Sequence, residues 1–373
     1  MQLPLFTVRK RIFGHFPWGC FTLLMIWSLL GLVNLYSATY RVDSTSLPIL
    51  FKSQLIWFVL GLLFLFFMTL FDYHWLEQWA YPFYGISIFL LLLVFVFGRS
   101  VAGQQNWVSI LGFSFQPSEI AKLALILVLS KYFSSYPPDR VYGLKELLPA
   151  MGLTFIPLIL VILQKDLGGS IFFVLLFASM SFFLKVKLRM FVVAALIASL
   201  ASVFAYNFVL KNYQKDRVKS FMNPEADAKG RGYHLVQSKI AVGSGGLLGR
   251  GYLKGNINKL KFLPERHTDF IFPVLAEEWG FVGSFILILS MSLFLFLGLD
   301  SASQCKDFFG ALLAVGVVSL LFWNIVINLG GVLGLMPLTG VPLPLMSYGG
   351  SSLVTMLMAI GVLFNVRMRR FVF

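Results

Sequence analysis

A chain of 373 residues that is 58% hydrophobic and only 12% charged is not a water-soluble globule, because a soluble chain of this length needs a far larger polar surface. The net charge of +14 comes from basic residues spread over loops that flank apolar runs, where they meet anionic lipid headgroups or an anionic substrate and not nucleic acid. Two cysteines, Cys20 and Cys305, both fall on the expected cytoplasmic side and form no cluster with the spacing of zinc ligands, which argues against a disulfide framework and a zinc site.

Apolar runs long enough to cross a bilayer recur at 18–38, 53–71, 81–97, 118–133, 147–163, 170–184, 190–209, 270–298, 308–332 and 352–366. They predict an all-α integral membrane protein of about ten transmembrane helices, built as a single polytopic domain over 1–373. Arg9, Lys10 and Arg11 resemble a signal n-region, but the run behind them is too long for a signal core and no small-x-small cleavage site follows. That run is expected to be the first transmembrane helix. With the N-terminus inside, the cytoplasmic loops collect Lys131, Arg140, Lys145, Lys185, Lys187, Arg189, Lys306, Arg367, Arg369 and Arg370. The short external loops hold only Arg41, Lys52, Arg99 and Lys165. This bias predicts both termini in the cytoplasm and places the one large hydrophilic loop, 210–268 between the seventh and eighth helices, outside.

Several segments carry chemistry. QPSEIAK at 116–122 opens the fourth run, with Pro117 suited to a helix start and Glu119 and Lys122 three residues apart on one face. Lys122 lies inside an apolar run, where a lysine is expensive unless it has a task. QKDLGGS at 164–170 puts Asp166 where it either caps the next helix or faces a cavity. In the long loop, the glycine cluster 243–251 lies beside Lys239, Arg250 and Lys254; it is either a phosphate cradle or a set of turns.

The densest signal is FLPERHTDFIF at 262–272, which puts Glu265, Arg266, His267 and Asp269 where the loop meets an apolar helix. Ionisable groups at a membrane boundary are costly to desolvate, so this pattern points to a reaction centre or ion site over an anchoring collar. Glu277 and Glu278 follow inside the same run, where at least one is expected to face the bundle interior or a cavity. Pro337, Pro342 and Pro344 break the stretch 330–352, whose low charge and irregular backbone predict that it lines a site; Ser347 lies within it.

Together, the segments 116–122, 164–170, 232–251, 262–278 and 335–352 resemble the SEDS family (shape, elongation, division and sporulation), with RHTD at 266–269 and LAEE at 275–278 closer to its elongation branch. The resemblance implies a membrane glycosyltransferase that polymerises lipid II, an undecaprenyl-diphosphate-linked disaccharide peptide, into peptidoglycan glycan strands with release of undecaprenyl diphosphate. It also implies ten transmembrane helices, a class B penicillin-binding protein as transpeptidase partner alongside other elongation-complex proteins, and Asp269 as the essential acidic residue. Asn106, Lys165 and Gly169 depart from the family pattern.

The chemistry is consistent on its own grounds. A sugar hydroxyl attacking an anomeric carbon needs a base, here Asp269. A departing diphosphate needs charge stabilisation, from Lys122, Lys239, Arg250 and Arg266 or from a divalent cation (Mg or Mn) for which Asp269 is a candidate ligand. Glu119, Asp166, His267 and Ser347 complete the expected substrate-binding set. The competing expectation is a transporter, either a lipid II flippase or an ion-coupled carrier, using the intramembrane Lys122, Glu277 and Glu278.

Overall fold

The computed structural model describes residues 15–40, 47–101, 104–110, 113–137, 142–184, 186–193, 220–224, 231–255, 263 and 265–369, together with positions 196, 199, 207 and 215. Its helices are α1 Trp18–Thr39, α2 Ile49–Leu70, α3 Tyr73–Gln78, α4 Ala80–Phe97, α5 Pro117–Ser134, α6 Leu144–Leu163, α7 Leu167–Phe183, α8 Arg231–Ser244, α9 Ile271–Ser303, α10 Phe308–Val332 and α11 Gly350–Arg369. Seven of them (α1, α2, α4, α6, α9, α10 and α11) are long and apolar enough to cross a bilayer. The apolar α7 is shorter, and α5 carries Glu119, Lys122 and Lys131. The protein is thus a helical, multi-pass membrane protein. The predicted run 190–209 lies for the most part outside the described residues, as do Arg9, Lys10, Arg11, Arg41, Arg140, Lys185 and Arg370.

Burial sorts the helices. α5, α10 and α11 are enclosed along most of their length and form the centre. α2 and α4 bury only one narrow stripe and expose Ile56, Val59, Leu63, Ile86, Phe89 and Leu92. Such a surface is stable only against lipid tails, which solvate it as well as protein would. At the end of the bundle where α11 finishes, polar groups tie helices together. Arg369 lies 3.4 Å from Asp72, Lys131 is 2.8 Å from Glu77, and Arg367 donates to the Leu297 carbonyl at 2.9 Å. Asp307 caps α10 there, accepting from the Gly310 N–H and from the hydroxyl of Tyr73. Burial pushes the Cys305 thiol up to about 12, reinforced by its contact with Asp307, so it stays protonated and poorly nucleophilic.

Two features depart from the all-helical expectation. The stretch between α4 and α5 forms a small antiparallel sheet, β1 Arg99–Val101, β2 Gln104–Ile110 and β3 Phe113–Phe115, in the order β1-β2-β3. Asn106 and Val108, two apart and hence on one face of β2, are buried. The loop 210–268 is also not a simple external insertion. Its helix α8 packs on α9 and α10, with Ala241 fully buried and the Ser238 hydroxyl donating to the Val332 carbonyl at 2.7 Å.

The α9 helix has 33 residues, well beyond the roughly 20 a bilayer needs, and it is broken at Gly280 with φ 67°. The break frees backbone groups on both sides, and the glycine-rich segment after α8 satisfies them. Arg250 N–H and Gly251 N–H donate to the carbonyls of Glu277 and Glu278, while Phe281 N–H and Val282 N–H donate to those of Gly246 and Leu247. The backbones approach so closely that a Cβ on Gly280 would lie 2.3 Å from the Gly249 nitrogen. The glycines therefore close a helix break. The N–H groups of Gly245, Gly246 and Gly249 bond within the segment and those of Arg250 and Gly251 bond to α9, so in this structure they are engaged in turns and in the helix break.

Candidate active site

One end of the bundle holds a cleft of about 490 Å³. It is lined by the starts of α5, α7 and α9, by β2, by α8 and by the irregular segment between α10 and α11. Asp269 lies on its wall at the end of a tight turn. The N–H groups of Thr268 and Phe270 both donate to the Glu265 carbonyl, and Glu265 itself takes a φ of 51°. Side chains from distant elements fix this turn. Asn328 of α10 donates to the carbonyls of Asp269 at 3.0 Å and Val341 at 2.7 Å. Asn34 of α1 donates to the Ile271 carbonyl at 2.9 Å. The Ser347 hydroxyl donates to the Thr268 carbonyl at 2.7 Å and accepts from Leu343 N–H at 2.8 Å. The backbone at Gly340, with φ 77°, passes beneath the carboxylate: a Cβ there would sit 3.6 Å from Asp269 Oδ2.

Facing Asp269 are Glu119 and Lys122 on the first turns of α5. Both are buried, with Lys122 Nζ 2.8 Å from Glu119 Oε1 and 4.4 Å from the centre of the Phe172 ring. The other Glu119 oxygen is buried and has no hydrogen-bond partner among the described residues. Asp166 is both cap and wall. It accepts from Gly169 N–H at 2.8 Å, from Asn106 Nδ2 at 3.1 Å and from Gln116 Nε2 at 2.8 Å. All three positions that depart from the family pattern thus surround one carboxylate, since Lys165 precedes it with φ 65° and an exposed side chain.

Lys122, Glu119, Asp166 and Asp269 come together in the cleft, but other expected site residues do not line it. Lys239 lies along Gly334, just beyond the C-terminal end of α10, where a cation is favoured by the helix dipole. Arg250 is exposed and donates to the Ser244 carbonyl at 3.2 Å. Ser347 is buried and spends its hydroxyl on the Asp269 turn, so it positions that turn and does not line the cleft. Arg266 is on the turn but off the cleft wall. His267 is held against Tyr348, 3.7 Å from Glu265. Burial lowers its imidazole below the ordinary value; Glu265 opposes the shift and Arg266 adds to it, so the ring is neutral at neutral pH. Of the intramembrane acids, Glu278 takes the Ser37 hydroxyl and sits with Glu277 at the helix break, away from the cleft.

Comparison with known proteins settles the family. A family model described as FtsW/RodA/SpoVE cell cycle protein matches residues 17–371. The chain belongs to the FtsW/RodA/SpoVE family. It is 41% identical to the peptidoglycan glycosyltransferase MrdB of Escherichia coli K12 over 79% of each chain. It is 30% identical to the peptidoglycan glycosyltransferase RodA of Treponema pallidum over 97% of this chain and 100% of that one. Among solved structures it superposes with a TM-score of 0.81 and 36% identity, covering 95% and 98% of the two chains, on a chain from a study of how a peptidoglycan synthase complex coordinates polymerization and crosslinking. Thermus thermophilus RodA matches at a TM-score of 0.71 and 33% identity over the same shares.

Within this RodA-like chain, sequence reasoning missed Asn106, Trp107, Gln116, His234, Asn324 and Thr339 as cleft residues. Asn106 stood out in the sequence as a departure from the family pattern, but its place in the cleft follows only from β2, which turns it inward beside Asp166. A divalent cation is the remaining expectation. Among the described residues no group of three or more His, Cys, Asp or Glu side chains converges as metal ligands would. An ion held by the single Asp269 carboxylate together with water or substrate phosphate needs no such cluster, and no step of the reaction is routed through such an ion.

Proposed function

We propose that this chain polymerises lipid II at the outer face of the bacterial cell membrane, using the cleft that holds Asp269 and Lys122. That it is a peptidoglycan glycosyltransferase of the RodA kind follows from its family and from relatives of that name at 41% and 30% identity. The cleft itself carries the reading of how it works. Asp269 and Lys122 are 147 positions apart in the chain, yet they line one cavity that also presents three further carboxylates, Glu119, Asp166 and Glu265, and an apolar wall.

In this mechanism Asp269 takes the proton of the acceptor hydroxyl as its oxygen bonds to the anomeric carbon of the donor sugar. The bond from that carbon to the diphosphate breaks, and the electron pair leaves with undecaprenyl diphosphate. Lys122, oriented by Glu119, faces the developing negative charge as a compact ammonium. Asp166, held by three neutral donors, sets the relation between β2, α5 and α7 and so the shape of the acceptor side. Both termini lie in the cytoplasm, because the end where α11 finishes carries Lys131, Arg367 and Arg369. A class B penicillin-binding protein is the crosslinking partner, a reading supported by the synthase-complex neighbour.

Purified protein in lipid vesicles, given lipid II alone, is expected to yield long glycan and free undecaprenyl diphosphate. Movement of lipid II across the bilayer with no glycan formed would favour the transporter.

A further inference from the structure

We propose that the glycine-rich turn after α8 is an interfacial membrane anchor. Leu247 and Leu248 sit among the acyl chains of the leaflet at the cleft end of the bundle, and Arg250 and Lys254 meet its anionic headgroups. The turn is built to present this pair. Gly246 and Gly249 take left-handed conformations, with φ 55° and 80°, and between them Leu247 and Leu248 are 72% and 81% exposed. Two adjacent leucines this exposed at a loop tip are not the scattered apolar residues that any protein surface carries. Backbone pairing holds them there. The Gly246 and Leu247 carbonyls accept from the N–H groups of Phe281 and Val282, and a Cβ on Gly280 would lie 2.6 Å from the Leu247 oxygen.

The depth of the tip identifies what covers it. Glu278, just before the break in α9, takes the hydroxyl of Ser37, which lies in the last turn of α1. The break and the turn paired with it are therefore level with the end of a 22-residue helix long enough to cross the bilayer. Beyond the break, residues 281–303 of α9 rise about 34 Å, enough to cross the hydrocarbon core. On that part of the helix Phe281, Phe285, Ile286 and Leu289 are each more than half exposed, as residues that face lipid tails are. Leu247 is bonded to Val282 at the top of this stripe, so the leucine pair continues a lipid-facing surface to the membrane boundary. The charges agree with that level. Arg250 and Lys254 follow the tip and are exposed, whereas the nearby Glu277 and Glu278 are buried under the turn. Apolar side chains with cations just beyond them match a phospholipid surface, tails on one side and phosphates on the other. The anchor also has a use. The turn closes the α9 break, and α9 begins two residues after Asp269, so seating the turn in the leaflet sets the depth of the cleft in the membrane.

The test places nitroxide labels on single cysteines, Leu247→Cys and Leu248→Cys, in the purified full chain. The protein is reconstituted in vesicles of phosphatidylcholine mixed with phosphatidylglycerol. Collisions with oxygen, which concentrates among the tails, are compared with collisions with a nickel chelate that stays in water. Leu289→Cys on the lipid-facing stripe and Lys165→Cys in the exposed turn before α7 give the two ends of the scale. Positions 247 and 248 are expected to fall with 289, at an oxygen-to-nickel ratio several-fold above that of 165. Adding Arg250→Gln and Lys254→Gln, or using phosphatidylcholine alone, is expected to move the ratio at 247 toward that of 165. Nickel access at both leucines equal to that at 165 would overturn the anchor and leave the pair for a protein partner. Shielding of both labels from oxygen and nickel alike would also overturn it, by showing a protein contact in place of lipid. A ratio at 247 that ignores both the glutamine substitutions and the lipid charge would overturn the assignment of Arg250 and Lys254 to the headgroups.

Discussion

At the scale of single residues, the Glu119–Lys122 pair sets what a substitution can report. Both side chains are buried, so removing one charge strands the other. Lys122→Met is expected to destabilise the protein by about 3–5 kcal/mol, and adding Glu119→Gln should return much of that loss. Activity should not return, because the ammonium is still missing. Thermal midpoints and polymerisation rates of the two single variants and the double variant check both halves. Recovery of activity in the double variant would reduce Lys122 to a partner for Glu119.

Asp269 and Lys122 were legible in the sequence because a charge at a membrane boundary, or inside an apolar run, needs a reason. Lys239, Arg250 and Ser347 lie off the cleft for a physical reason too. Sequence gives residue type and neighbourhood, but only packing decides whether a cation faces a cleft or lies along a helix end. His234 carried no such signal, since one histidine in a polar loop is unremarkable until α8 docks.

At the scale of elements, the apolar runs marked most helices to within a few residues, because their lengths are imposed by bilayer thickness. The break in α9 was hidden, since a lone Gly280 in a long run does not by itself mark a break and the groups that repair it come from a different segment. Here the glycine cluster has a structural task that can be measured. Gly249 has φ 80°, and a Cβ on it would lie 2.2 Å from the Glu278 carbonyl oxygen. Gly249→Ala is therefore expected to cost about 1–3 kcal/mol from backbone strain, with the clash adding to it. Gly243 has open space around the corresponding position, so Gly243→Ala should be close to neutral and serves as the control. Equal thermal midpoints for the two variants would contradict the pairing of this segment with α9.

At the scale of the whole molecule, the cleft and the basic helix ends lie at opposite ends of the bundle, which turns topology into a test. Cys20 is buried and the Cys305 thiol is held protonated, so the native cysteines should give little background with thiol reagents. A cysteine at the exposed position 250 is expected to react with an impermeant reagent in intact cells. Reaction only after permeabilisation would invert the orientation and put the cleft in the cytoplasm.

The central claim is that the Asp269 carboxylate removes the acceptor proton. Asp269→Asn keeps the size of the side chain and most of its hydrogen bonding while removing the basic oxygen. Its most direct test is the initial rate of lipid II polymerisation by the purified variant, at wild-type fold and wild-type lipid II binding. We expect a loss on the order of a hundredfold or more; a rate near that of the wild type would contradict the mechanism.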